Sequence, residues 1–223
     1  MAGATTATLA VQLDVVGRRC VVIGAGPVGA RRASALVVAG ADVVVVAPRA
    51  VASVSEAAAA GGVTWEQRRF VADDLAGAVL AVAATGVAAV DESVSAAAVE
   101  HGVLVNRADR AERGDLWFPA VLHRGPLSVS VSTGAATPAV TRLLAGVLDA
   151  ALDDVLQLDA TQIAGLVEVV AEVRSELREQ RDGDGSPVRL DWRSALDGSI
   201  LDLVRQGRKS EAKERLLACL SSS

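Results

Sequence analysis

Apolar positions along the chain follow two regimes that change near residue 110. Up to that point, short runs rich in Val and Ala alternate with segments of helical spacing. Val21 to Ile23 is continuously apolar, as is Asp42-Val-Val-Val-Val-Ala47, which predicts parallel strands buried on both faces. Between them, Pro27 to Ala39 carries Val28, Leu36 and Val37 on an apolar side and stops at Gly40, a residue suited to ending a helix. Strand, helix and strand fit within the roughly 30 residues of a βαβ unit. The alternation continues with a helix over Val51 to Ala60, closed by Gly61-Gly62, and an edge strand over Val63 to Phe70. A buried strand over Val79 to Thr85, a helix over Asp91 to His101 stopped by Gly102, and a strand over Val103 to Val105 follow. This pattern predicts an open, mostly parallel, Rossmann-like α/β sheet wound on both faces. Ahead of it, Leu9, Val11 and Leu13 alternate in a short lead-in to a turn at Gly17, and residues 1–8 predict no structure.

Beyond residue 110 the strands lose their intervening helices. Leu116 to Leu122 and Leu127 to Ser132 are split only by His-Arg-Gly-Pro, which predicts a hairpin or paired ribbon. From Thr137 the spacing is helical, over Pro138 to Leu152, Val155 to Arg181, Trp192 to Gln206 and Ser210 to Leu220. One clear loop, Arg181 to Pro187, interrupts it. The expected division is a dinucleotide-binding domain over 9–112, a ribbon segment over 113–150 and a helical C-terminal domain over 151–223.

Composition removes several function classes. Of the 223 residues, 51% are hydrophobic, ample for a core, but only 2% are aromatic, which leaves little to stack nucleic-acid bases on. A formal charge of −5 also argues against a polyanionic partner. Cys20 and Cys219 lack C-x-x-C spacing, and Cys20 lies inside an apolar run as a small core residue, so neither a disulfide framework nor a zinc site is expected. His101 and His123 have no partner His or Cys for a metal site. Met1 to Ala10 does not read as a signal peptide, and no uncharged apolar run reaches the roughly 18 residues of a membrane span. The expected location is the cytoplasm, with no membrane or nucleic-acid partner.

Chemistry is expected where the strands end. Gly24-Ala-Gly26-Pro27-Val28-Gly29 is a G-x-G-x-x-G turn between a strand and a helix, the setting in which that spacing binds a dinucleotide. Gly24 would allow the tight turn, Gly26 the approach of a pyrophosphate, and Gly29 close packing of helix on strand. The acid that often binds the ribose after the second strand is missing, because that strand finishes in Ala47-Pro48-Arg49 and Asp42 lies at its other end. Either backbone groups hold the ribose or Arg49 accepts a 2′-phosphate. Asp109, in Asn106-Arg-Ala-Asp109, directly follows a buried strand, where a carboxylate could take a proton as hydride leaves for a nicotinamide; a turn-forming Asx residue fits the same position. Ser132-Thr-Gly-Ala-Ala-Thr137-Pro138 enters a helix, with Thr137 suited to the N-cap and Pro138 to the first turn; the same loop could serve as an anion site for a substrate carboxylate. Arg107, Arg110, Arg113, Arg124 and Arg142 surround these segments in sequence, mostly as surface charges, though a polycarboxylate substrate would use several.

In order along about residues 9–150, these pieces resemble the precorrin-2 dehydrogenase family, which includes the dehydrogenase/ferrochelatase part of siroheme synthases. The resemblance rests on Leu13-Asp-Val-Val-Gly-Arg-Arg19, Gly-Ala-Gly-Pro-Val-Gly-Ala-Arg-Arg32, Ala39-Gly-Ala-Asp-Val-Val-Val-Val-Ala-Pro48 and Ala83-Ala-Thr85. More specific are Val105-Asn-Arg-Ala-Asp109, Phe118-Pro-Ala, Arg124-Gly-Pro-Leu127 and Val131-Ser-Thr-Gly-Ala-Ala-Thr-Pro138. The family often continues Ala-Ala-Thr with an acid and then Asn, where this chain has Gly86 and Asp91.

The resemblance implies NAD-dependent oxidation of precorrin-2 to sirohydrochlorin, on the route to siroheme or cobalamin, by a homodimer built through the ribbon segment. It places the essential aspartate on Asp109 and cofactor contacts on Gly24, Gly26, Pro27, Val28, Gly29, Pro48, Arg49 and Thr85. From the residues themselves, the polar and basic groups around the proposed cleft, Asn106, Arg124, Thr133 and Thr137, are the candidate substrate contacts. NAD is favoured over NADP because the family uses NAD without an acid after its second strand. Some members also insert Fe²⁺ into sirohydrochlorin, and no residue of the chain separates the two kinds. A non-enzymatic NAD(H)-sensing protein, or an oxidoreductase for another small substrate, would share the glycine loop without needing Asp109.

Overall fold

The computed structural model describes residues 8–133, 137–179 and 191–221. The expectations for residues 1–7 and for the loop Arg181 to Pro187 lie outside the described residues. Two compact units are present, one running to Phe118 and the other beginning at Pro119.

In the first unit, β1 (Arg19–Ala25), β2 (Asp42–Ala50), β3 (Thr64–Glu66), β4 (Leu80–Ala83) and β5 (Leu104–Arg107) form one parallel sheet in the order β3-β2-β1-β4-β5. The helices α1 (Pro27–Val38), α2 (Ala52–Ala59) and α3 (Ala88–His101) connect the strands. Alternate strand residues enter two separate cores. Val22, Val45 and Val82 pack with Ala33 and Leu36 of α1, while Val21, Ile23, Val44 and Ala81 pack with Val94, Ala97 and Ala98 of α3. Double-sided burial is why these strands read as unbroken apolar runs, each buried Val contributing about 1.5–3 kcal/mol. Cys20 belongs to the first of these cores, and burial pushes its thiol pKa up, as befits an unreactive core residue.

Several boundaries differ from expectation for local reasons. The edge strand stops at Glu66 because the chain then turns, Arg68 N–H donating to Glu66 O at 2.8 Å. The Arg68 guanidinium grips buried Asp74 at 2.6 and 2.9 Å, which draws the following residues off the sheet. On α1 the buried residues are Gly29, Ala33 and Leu36; Val28, expected on the apolar side, is exposed. Leu9, Val11 and Leu13 are exposed and make no strand, although the turn at Gly17 is present, with φ +65° and a 2.8 Å bond from Gly17 N–H to Gly40 O.

The second unit opens with an antiparallel hairpin of β6 (Ala120–Arg124) and β7 (Leu127–Val131). It starts later than Leu116 because Leu116 and Phe118 pack on the first unit's core. The helices α4 (Pro138–Leu156), α5 (Ala160–Glu179), α6 (Trp192–Ala195), α7 (Gly198–Arg205) and α8 (Lys209–Ser221) follow. Gln157, at φ +49°, ends α4, and Asp159 and Gln162 then exchange backbone-to-side-chain bonds of 2.8 and 2.9 Å that start α5. The helix expected over Trp192 to Gln206 is split by Asp197, which caps α7 by accepting from Ser199 and Ile200 N–H. Val173, Ile200, Leu216 and Leu220 form the centre of this unit's core. Among the described residues, no helix is long and apolar enough to cross a membrane.

The tightest steric constraint concerns α1. A Cβ on Gly29 would overlap the carbonyl oxygen of Gly24, so α1 lies against the end of β1 only because that side chain is absent. Gly29→Ala is expected to cost about 1–3 kcal/mol in denaturant unfolding through forced displacement of α1; an unchanged midpoint would show that the contact relaxes freely.

Candidate functional site

Four parallel strands of the first unit bring their carboxyl ends to one edge, the usual ligand-binding edge of such a sheet. Gly24, at φ +101°, turns the chain out of β1, and a Cβ there would overlap Ala84 O at the end of β4. Gly26 differs from both its neighbours in the motif. It has ordinary backbone angles and nothing within 4 Å of the place a Cβ would occupy. It is also the N-cap of α1, with no side-chain cap and no acid in the first turn. Pro27 fills the first helical position, and exposed Val28 follows it. The positive end of α1 therefore meets open space in front of Gly26, a cradle that suits a pyrophosphate.

The end of β2 contributes Pro48 and Arg49, both exposed. Pairing of Ala25 with Ala50 carries β2 past the Ala47 expected to finish it, so both residues belong to the strand. The indole N–H of Trp65, on β3, donates to Ala47 O at 3.0 Å and steadies this edge. Arg49 has no ion-pair or hydrogen-bond partner among the described residues.

At the end of β4, Thr85 is held by Asp91, six residues further on in α3. The Thr85 hydroxyl and N–H donate to Asp91 Oδ1 at 2.7 and 3.1 Å, and Val87 N–H donates back to the Thr85 hydroxyl at 3.1 Å. Asp91 is buried in the first turn of α3, and its Oδ2 has no partner among the described residues. The usable signal was an acid six residues after Thr85, at the start of a helix, where the dipole favours it.

The end of β5 carries the most charged cluster. Arg107 points towards α3 with only 2% of its side chain exposed. Its Nε and Nη2 donate to the two carboxylate oxygens of Asp109, both at 2.8 Å, while Nη1 donates to Glu92 Oε2 at 3.0 Å and Ser95 Oγ at 3.1 Å. Arg113 also pairs with Glu92, at 3.2 Å. Arg107 holds the Asp109 carboxyl below the usual carboxylate range and, with Arg113, does the same to Glu92; the two acids raise the guanidinium in turn. Asp109 is therefore ionised while its side chain remains 26% exposed. Arg107, expected among mostly solvated arginines, is a buried anchor instead.

Asn106 is buried, and its amide donates to Leu116 O at 2.9 Å, which ties it to this edge, while its Oδ1 has no partner among the described residues. Arg124, expected to meet substrate carboxylates, is paired inside the second unit with Asp149 at 2.5 Å and Asp153 at 3.3 Å on α4. The Thr133 hydroxyl lies 2.7 Å from that of Thr141, and Thr137 occupies the N-cap of α4 without a side-chain cap bond. Residues 134–136 of that loop lie outside the described residues. No cluster of His, Cys, Asp or Glu suited to a metal ion is present among the described residues.

Residues 11–120 match the family described as "Putative NAD(P)-binding". A siroheme synthase of Nitrosococcus oceani is 32% identical over 212 residues, covering 95% of this chain and 44% of its own. One from Azotobacter vinelandii is 34% identical over 211 residues, covering 94% and 44%. The chain thus spans less than half the length of these relatives. A solved structure of SirC, precorrin-2 dehydrogenase, matches with a TM-score of 0.67 and 25% identity, over 94% of this chain and 98% of that one.

The glycine geometry separates folding from binding. Gly26→Ala is expected to leave thermal stability unchanged while weakening nicotinamide-dinucleotide binding about tenfold or more in calorimetry. Equal affinity would mean that no ligand approaches this backbone.

Proposed function

We propose that this chain, which is similar to SirC, precorrin-2 dehydrogenase, and to the matched part of the siroheme synthases, oxidises precorrin-2 to sirohydrochlorin with NAD. The observation that carries the proposal is an exposed, ionised Asp109 on the same sheet edge as the uncapped, open start of α1. Gly24, Gly26, Pro27, Val28, Gly29 and Thr85 would hold the pyrophosphate and nicotinamide half of the dinucleotide, and Pro48 and Arg49 its adenosine end. When bound, the nicotinamide supplies a two-electron acceptor for the carbon–hydrogen bond that breaks.

Asp109 deals with the remaining charge and proton. Loss of hydride leaves a cationic tetrapyrrole, and a fixed carboxylate beside it stabilises that charge as it develops. A proton leaving a cation is acidic, so a weak base suffices; the Arg107 pair weakens Asp109 as a base but keeps it ionised and able to accept. Asp91 keeps Thr85 in place, and Asn106 fixes the departure of the chain from β5.

NAD is favoured over NADP on the family resemblance, although Arg49, without a partner among the described residues, would suit a 2′-phosphate. The homodimer is proposed through α4, where Val140, Leu143, Leu144, Val147 and Leu148 form an exposed apolar stripe at helical spacing beside exposed Val121 of β6. Two cysteines without C-x-x-C spacing, together with a nicotinamide cofactor, fit a cytoplasmic location.

Purified protein supplied with precorrin-2 and NAD is expected to form sirohydrochlorin, followed by absorbance. Asp109→Ala should lower kcat about 10²- to 10⁴-fold with NAD affinity retained. Dinucleotide binding with no tetrapyrrole turnover would favour an NAD(H) sensor and sink the proposal. For the dimer, Leu143→Glu with Val147→Glu should give a monomer in sedimentation velocity, whereas an unchanged species would place the interface elsewhere.

A further inference from the structure

Arg107 occupies a place that an arginine rarely takes: a nearly fully buried position on the last strand of a parallel sheet. Strand alternation sends Asn106 to the α1 side, where it meets Leu116, and Arg107 to the α3 side, where it meets Glu92 and Ser95. All three guanidinium nitrogens are used. Nη1 fastens the group to α3, and the fork of Nε and Nη2 holds both oxygens of Asp109. Ala108 N–H still bonds to Ala83 O at 3.0 Å, so Asp109 begins where the chain leaves the sheet and gains its fixed orientation from the fork.

We infer that Arg107 is a positioning residue for the proposed oxidation: braced by Glu92 and Ser95, it fixes the orientation and the charge of the Asp109 carboxylate. The inference rests on the catalytic role proposed for Asp109. Charges alternate along the cluster, Asp109, Arg107, Glu92 and then Arg113, so the buried cation is balanced on both sides. Arg107 on β5 faces Asp109 directly, as do the backbone N–H groups of Asp109 and Arg110; Glu92 on α3 and Arg113 from the turn over 111–113 act through Arg107. A lysine could keep the charge at this site but not the two-point grip, because an ammonium lacks the planar fork.

The sign of the pH effect follows directly. Asp109 paired with Arg107 stays ionised well into the acid range and loses its charge only as pH falls through its lowered pKa. Without the guanidinium that loss begins at higher pH, so the acid limb of kcat/KM moves upward.

The test is a ¹³C carboxyl NMR titration of Asp109, its resonance identified by its absence in D109N, run beside pH–rate profiles for wild type, R107K, R107Q and E92Q. R107Q should raise the Asp109 midpoint and the acid limb together, by about one pH unit or more. R107K should lower kcat about 10- to 100-fold, with KM for NAD little changed. E92Q should produce a smaller change in the same direction. If R107Q does not fold, R107K and E92Q carry the comparison. An Asp109 titration in folded R107K and E92Q identical to wild type, together with wild-type rates, would overturn the inference. A shifted titration with unaltered rates would also overturn it, confining Arg107 to a structural role. Wild-type protein without precorrin-2 turnover would remove the proposed function and the positioning role with it, while the titration still reports the pair separately.

Discussion

Everything at the sheet edge depends on the close approach of α1 to β1. Hydrogen atoms at Gly24 and Gly29 let the end of one strand, the carbonyl of its neighbour β4 and the first turn of a helix occupy a space that two methyl groups would close. With α1 seated there, its uncapped N-terminus faces the open side of Gly26. The cradle is thus a by-product of packing. The two glycines beside Gly26 are required by packing, and Gly26 is the one whose open side the packing does not use.

Electrostatics then divide the edge into regions of opposite sign. The start of α1 and Arg49 are positive, as the proposed phosphate contacts would require. Asp109 carries negative charge, as the proposed oxidation would require. An isolated carboxylate at such a place would be exposed to the chemistry of its neighbours, but Arg107 ties it to α3 through Glu92 and Ser95. Asp91 does comparable work one strand away by holding Thr85. Both devices use polar groups in the first turns of α3, buried Asp91 in one and Glu92 with Ser95 in the other, so that helix supports the edge as well as covering one core.

How much of this was legible in the sequence depended on the range of the interaction. The sheet and its helices were readable because double-sided burial leaves unbroken Val and Ala runs, and because Gly40, Gly61-Gly62 and Gly102 mark the helix ends. Boundaries were misread where side chains from elsewhere intervene, as Arg68 with Asp74 shortens β3 and as Asp197 splits a helix. At the site, the glycine loop and Asp109 were visible as motifs. The buried state of Arg107, the support given by Asp91 and the inward turn of Asn106 were not, because each depends on a neighbour 6 to 15 residues away across the fold. The ion pairs of Arg124 were hidden for the same reason, since its partners Asp149 and Asp153 lie on a separate helix.

The central claim is that this edge couples a nicotinamide dinucleotide to a tetrapyrrole. An anaerobic single-turnover reaction of the protein with precorrin-2 and NAD tests it most directly, reading NADH and sirohydrochlorin in the same sample. The account predicts that both appear with the same rate constant, one NADH for each sirohydrochlorin. Sirohydrochlorin formed without NADH, or neither product formed with NAD or NADP, would contradict it.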